Sequence, residues 1–77
     1  MINILAPNLG EGVDAASVTR WLKQEGDRVN KGDVLLELET DKTSVEVQAE
    51  QDGILTVITA NAGARVEIGS VLGVMES

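Results

Sequence analysis

One residue could take part in covalent chemistry. Lys42 stands among Glu37, Glu39, Asp41, Glu46, Glu50 and Asp52 and is the only basic residue between Gly32 and Ala64. The 77 residues include no histidine and no cysteine, so the common general bases, metal ligands and strong nucleophiles are missing. Ser17, Ser44, Ser70 and Ser77 have no imidazole to activate them. A Schiff-base role for a lysine needs a desolvated pocket, and a turn ringed by carboxylates is the opposite setting. No catalytic residue and no metal site are expected; Lys42 reads as a group acted upon by another protein.

Two alternating segments must hold that amine. Val34, Leu36 and Leu38 precede it, and Val45, Val47 and Ala49 follow; period-two alternation marks half-buried strands. With Asp41 and Lys42 as the central turn residues, Thr40 faces Thr43, Leu38 faces Val45 and Leu36 faces Val47. The other face then sets Glu37 against Glu46 and Glu39 against Ser44, whereas a one-residue slip sends the valines into water. The amine sits at the apex of a tight hairpin, held away from the barrel wall. Asp-Lys departs from the Asn-Gly or Asp-Gly preferred where a primed turn needs positive φ, so something other than turn stability selects Lys42. Asp41 either caps the turn through a local side-chain contact or is read by a partner. Glu39 and Glu46 lie on a solvated strand face, and since opposed like charges destabilise mildly, that acidic face is a candidate for recognition.

The rest of the chain must build a small mount. A chain of 77 residues makes one domain, spanning residues 1–77, and buries only about 60–65% of its unfolded surface. With no cysteine or histidine, neither a disulfide nor a metal staple is expected, so stability falls to a Val, Ile, Leu and Ala core with a single Trp21. The many β-branched residues argue for strands. A net charge of −7 disfavours nucleic acid and anionic membranes and favours a basic partner surface. No segment is apolar and long enough to span a bilayer, and Met1 to Ala6 lacks the features of a secretion signal; an intracellular, reducing compartment fits.

In order, Ile2, Ile4 and Leu5 open a first strand that Pro7 ends. Asn8 to Asp14 reads as an acidic surface loop. A strand from about Ala16 to Gln24 leaves the facing of Trp21 open, its simplest role being a core lid at the barrel edge. Val29 is a brief extended contact between turns. Beyond the hairpin come a strand from Ile54 to Ala60, Arg65-Val66, and a last strand from Val71 to Met75. Shifted by 37, Gly26, Arg28, Val29, Gly32, Val34 and Leu35 match Gly63, Arg65, Val66, Gly69, Val71 and Leu72. Two copies of one unit are implied, neither able to bury its apolar face alone, packed as a sandwich. The position equivalent to Lys42 is 79, beyond Ser77, so a pseudo-two-fold axis puts the lysine at the far end from the termini and from any linker.

The combined motifs resemble the lipoyl domains of 2-oxo acid dehydrogenase complexes over nearly the whole chain. They are Gly10-Glu11-Gly12, Gly26-Asp27-Arg28-Val29, Lys31-Gly32-Asp33-Val34-Leu35, Glu39-Thr40-Asp41-Lys42, Asp52-Gly53 and Gly69. The resemblance implies an all-β flattened barrel of two four-stranded antiparallel sheets, with lipoate joined to the Lys42 amine as an amide. It implies a swinging-arm acyl carrier without a catalytic site of its own. Its partners would be a thiamine-dependent 2-oxo acid decarboxylase, an acyltransferase catalytic domain, the flavin-dependent dihydrolipoamide dehydrogenase and a lipoate ligase or lipoyl transferase. Beside Lys42, the expected recognition residues are Asp41 as turn neighbour, Gly10, Glu11 and Gly12 in the early loop, and Glu39, Thr40, Thr43 and Glu46 on the hairpin. The Gly10-Glu11-Gly12-Val13 loop and the Val18 to Leu22 strand lean toward the 2-oxoglutarate branch, from which Gly12 departs, a serine being common there. The expected setting is a monomeric domain at the N-terminus of an acyltransferase chain, in the bacterial cytoplasm or the mitochondrial matrix. Alternatives are a biotinyl carrier, whose lysine is flanked by methionines rather than by Asp41 and Thr43, an unmodified structural connector, and the longer glycine-cleavage carrier.

Overall fold

A computed structural model describes residues 1–77. Eight strands follow in order: β1 (Ile2–Leu5), β2 (Ala15–Trp21), β3 (Arg28–Val29), β4 (Val34–Glu39), β5 (Ser44–Gln48), β6 (Gly53–Ile58), β7 (Arg65–Glu67) and β8 (Val71–Glu76). No helix of the chain is long and apolar enough to cross a membrane. The strands form two four-stranded sheets of order β1-β8-β6-β3 and β5-β4-β2-β7, antiparallel throughout. The expected architecture is present.

The internal repeat explains the two orders. A shift of 37 carries β3 onto β7, β4 onto β8 and most of β2 onto β6. Applied to β4, β2 and β7, with β1 standing for β5, it turns one sheet into the other. The halves are not separate sheets, however. Short β7 pairs with β2, and short β3 pairs with β6, so each half lends a strand to its counterpart.

Between the sheets lies an aliphatic core in which Leu35, Leu36, Leu38, Leu55, Leu72, Met75, Val18 and Val29 are almost wholly enclosed. Trp21 is half-buried at its rim and its indole Nε1 donates to the Ala60 carbonyl at 2.7 Å, which is the lid role expected of it. Aromatic side chains with a polar handle suit that position.

The β4–β5 register runs Leu36↔Val47, Glu37↔Glu46, Leu38↔Val45 and Glu39↔Ser44, as the alternation requires. It fails at Val34, which falls opposite Gln48 rather than Ala49 because the ladder shifts between Val34 and Leu36. Such a bulge inserts one extra residue, and here it turns both Leu35 and Leu36 into the core. Ala49 instead donates to Asp33 O and accepts from Gly32 N–H, both at 2.8 Å. Strand ends also differ from expectation. β2 stops at Trp21, because the Asp27 carboxylate takes the Gln24 N–H at 2.8 Å and starts the turn early. β6 begins at Gly53 and ends at Ile58, with Thr59 and Ala60 N–H both turning to the Leu72 carbonyl.

The hairpin tip and the chain termini occupy opposite ends of a body 33 Å long and 20 by 18 Å across. At the tip end, Glu39 neighbours Ser44 and Ser17, and Ser17 neighbours Arg65. At the other end, Lys31 N–H meets the Asp52 carboxylate at 2.7 Å and the Met1 amine meets Glu76 at 3.3 Å.

Candidate functional site

Lys42 is exposed, and its turn is latched by a neighbour. No residue other than glycine has positive φ, so the turn is not of the primed kind that Asn-Gly would favour. Thr40 supplies the closure. Its N–H donates to Thr43 O at 2.8 Å. Its hydroxyl donates to that carbonyl at 2.9 Å and accepts from Thr43 N–H at 2.9 Å and Lys42 N–H at 3.1 Å. A hydroxyl offers one donor and two acceptor lone pairs, and all are used. Asp41 makes no hydrogen bond or ion pair, so the capping role considered for it belongs to Thr40. The physical reason is reach: Thr40 precedes the N–H groups of Lys42 and Thr43, which point back toward it.

The lysine amine has no hydrogen-bond or ion-pair partner. Rather than standing clear of the domain, it lies along the early loop, with Nζ 3.6 Å from where a Cβ on Gly12 would be. Gly12 itself has φ +77°, a conformation glycine takes without steric penalty. The loop is a built structure. Leu9 is 2% exposed and joins the core; Gly10 N–H meets the Asn8 side chain at 3.0 Å, Val13 N–H meets Gly10 O at 3.1 Å and Ile68 N–H meets Asp14 O at 3.2 Å. The apolar Leu9 between Asn8 and Gly10 was the available sign of that anchoring. Glu11 is exposed between two glycines.

A groove of about 490 Å³ runs along the foot of the hairpin, lined by Gly12 to Ser17 on one side, Glu39 to Asp41 on the other, and Arg65. It gathers Gly12, Glu39, Thr40 and Asp41 beside the lysine. Gly10, Glu11, Thr43 and Glu46 do not line it. Glu46 lies in the third pair from the tip, opposite Glu37 and below Leu38↔Val45 and Glu39↔Ser44, and the like-charge opposition is relieved from the other side, since Arg20 Nε donates to Glu37 at 3.0 Å. Sequence reasoning missed both arginines here; Arg65 is visible in the sequence only as part of the repeat, and its approach to the hairpin depends on β7 joining β2.

Chemically, an exposed amine with no partner on a fixed turn can be acylated to an amide by an activated carboxylate supplied from outside.

The family described as biotin-requiring enzyme, the biotin and lipoyl attachment domain, matches residues 2–75. The chain is 42% identical over 73 residues to the dihydrolipoyllysine-residue succinyltransferase component of the 2-oxoglutarate dehydrogenase complex of Bacillus subtilis, covering 95% of this chain and 18% of that protein. It therefore spans under a fifth of the length of the curated relatives it matches. Among solved structures it resembles the lipoyl domain of the 2-oxoglutarate dehydrogenase complex from Azotobacter vinelandii, with a TM-score of 0.80, 35% identity, and coverage of 100% of this chain and 98% of that one. It also resembles the lipoyl domain of the Escherichia coli dihydrolipoyl succinyltransferase component, with a TM-score of 0.76, 43% identity, and coverage of 94% and 90%.

Proposed function

The chain belongs to the biotin and lipoyl attachment family, on its lipoyl branch, and from that premise we propose that Lys42 carries lipoate in amide linkage and that the domain is a mobile acyl carrier. The observation that carries this reading is the unpaired Lys42 amine on a turn whose Thr40 hydroxyl is fully engaged. A dithiolane held there supplies oxidation of an acyl unit coupled to thioester transfer; that chemistry is the cofactor's. The chain's own contribution is position. Paired strands β4 and β5 fix the turn, Gly12 leaves the lysine stem room, and the surrounding acids and loop offer surfaces for recognition.

The partners in this reading are a thiamine-dependent decarboxylase that loads the arm, an acyltransferase domain that unloads it to coenzyme A, and dihydrolipoamide dehydrogenase, which reoxidises it. The identities to succinyltransferase components favour the 2-oxoglutarate complex. Residues 1–77 then act as one carrier module of a longer acyltransferase chain, in the bacterial cytoplasm or the mitochondrial matrix, and attachment to that chain raises the local concentration of the arm at each site. Affinity at each stop can accordingly be weak. The groups on this chain perform no step of the reaction.

Incubation with lipoate, ATP and a lipoate ligase, read by intact mass, is the direct test. One lipoyl increment on the native domain and none on Lys42→Arg is the expected result. A biotin increment with a biotin ligase, or labelling that survives Lys42→Arg, would overturn the assignment. Loading of the lipoylated domain by 2-oxoglutarate and pyruvate decarboxylases in parallel tests the choice of complex, with faster loading expected from the former.

A further inference from the structure

The groove beside the hairpin can be judged against an internal control, because the repeat builds an equivalent row of residues at both ends of the molecule. Across β7, β2 and β4 the row is Arg65, Ser17 and Glu39. The shift of 37 gives Arg28, Ile54 and Glu76 across β3, β6 and β8. At that end the central residue is the larger, apolar Ile54, 42% exposed, and Glu76 is engaged by the Met1 amine at 3.3 Å. At the lysine end the centre is Ser17, small and polar, and a groove opens there. The Arg65 guanidinium has no ion pair and no hydrogen bond, and it is the one cation lining that groove.

We propose that Arg65, with the Ser17 hydroxyl beside it, is a resting site for the terminal carboxylate of an acyl group derived from a dicarboxylic acid and carried on the Lys42 arm. This rests on the carrier reading above. A guanidinium presents a planar fork that matches a carboxylate with two parallel hydrogen bonds. The other charged residues of the groove are Asp14, Glu39 and Asp41, so Arg65 is the one place in it where a carboxylate meets an opposite charge. An uncharged acyl group gains nothing there. Amide formation removes the charge of Lys42, which leaves the arm itself without a competing cation, and tethering places the acyl carboxylate near Arg65 at high effective concentration. The consequence is a loaded arm that spends more of its time folded against the domain when its cargo bears a carboxylate. The site thus distinguishes cargo by charge before any partner is met.

The test uses the lipoylated, reduced domain, charged chemically on the arm with either a succinyl group or its uncharged monomethyl ester, and read by ¹⁵N NMR at Arg65 Nε and the Ser17 amide. Succinyl cargo should shift both signals, and the ester should leave them where the uncharged arm does. Because the pair is exposed, the population bound should exceed that of the ester by about two- to fivefold, and Arg65→Gln should abolish the difference at Ser17 while Arg65→Lys restores part of it. Equal shifts with both cargoes, or none with either, would overturn the proposal while leaving the carrier reading intact. A domain that accepts no lipoate would overturn both. Should Arg65→Gln not fold, the comparison of the two cargoes on the native domain decides.

Discussion

Thr40 holds the turn that the lysine depends on. Replacing it with Val keeps the β-branched shape and removes the hydroxyl that donates to Thr43 O and accepts from two N–H groups. With a net worth of about 1 kcal/mol for a typical hydrogen bond, and solvent able to replace part of the set, Thr40→Val should cost about 1–2 kcal/mol in denaturant unfolding. It should also slow modification by the ligase more than it slows unfolding-independent steps, because Lys42 loses its fixed presentation. Asp41→Asn should stay within about 0.5 kcal/mol, as a surface change that breaks no contact. A larger loss for Asp41→Asn than for Thr40→Val would restore Asp41 as the cap. What was legible from the start was an isolated Lys42 amine in an acidic stretch of a chain lacking histidine and cysteine. The latch was not, because threonine and aspartate are both turn residues by composition, and only the directions of the N–H groups decide between them.

At the level of strands, alternation located the hairpin and its register through four consecutive pairs, from Leu36↔Val47 to Glu39↔Ser44. It could not locate the bulge, since Val34, Leu35 and Leu36 are all apolar and a run of such residues hides where the pleat is broken. Two features in this class yield predictions. A Cβ on Gly73 would lie 2.8 Å from Val57 O and 3.1 Å from the Trp21 ring, and backbone cannot give way cheaply. Gly73→Ala should therefore destabilise the domain by about 1–3 kcal/mol in urea unfolding, and an unchanged midpoint would refute that packing. The Trp21 indole donates to Ala60 O at 2.7 Å. Trp21→Phe keeps a ring over the core and drops the donor, so a loss of about 1–3 kcal/mol is expected, the upper part if the carbonyl is left unsatisfied.

The whole molecule places its hairpin tip and its termini apart, and the repeat in the sequence already implied this: the counterpart of Lys42 falls past Ser77. A flexible extension appended after Ser77 should leave the rate of ligase modification within twofold, whereas the same residues inserted between Gly10 and Glu11 should depress it; equal effects at both places would contradict the polarity of the body. What the repeat concealed was the exchange of β3 and β7, because matching segments say that two units are alike and not which one a short strand will join. That exchange has a further consequence. A peptide covering either half alone would lack a neighbour for one edge of its own ribbon, so neither half can persist without the other. Unravelling begun anywhere must then pass through both, and the support beneath the lysine survives or collapses as one cooperative whole.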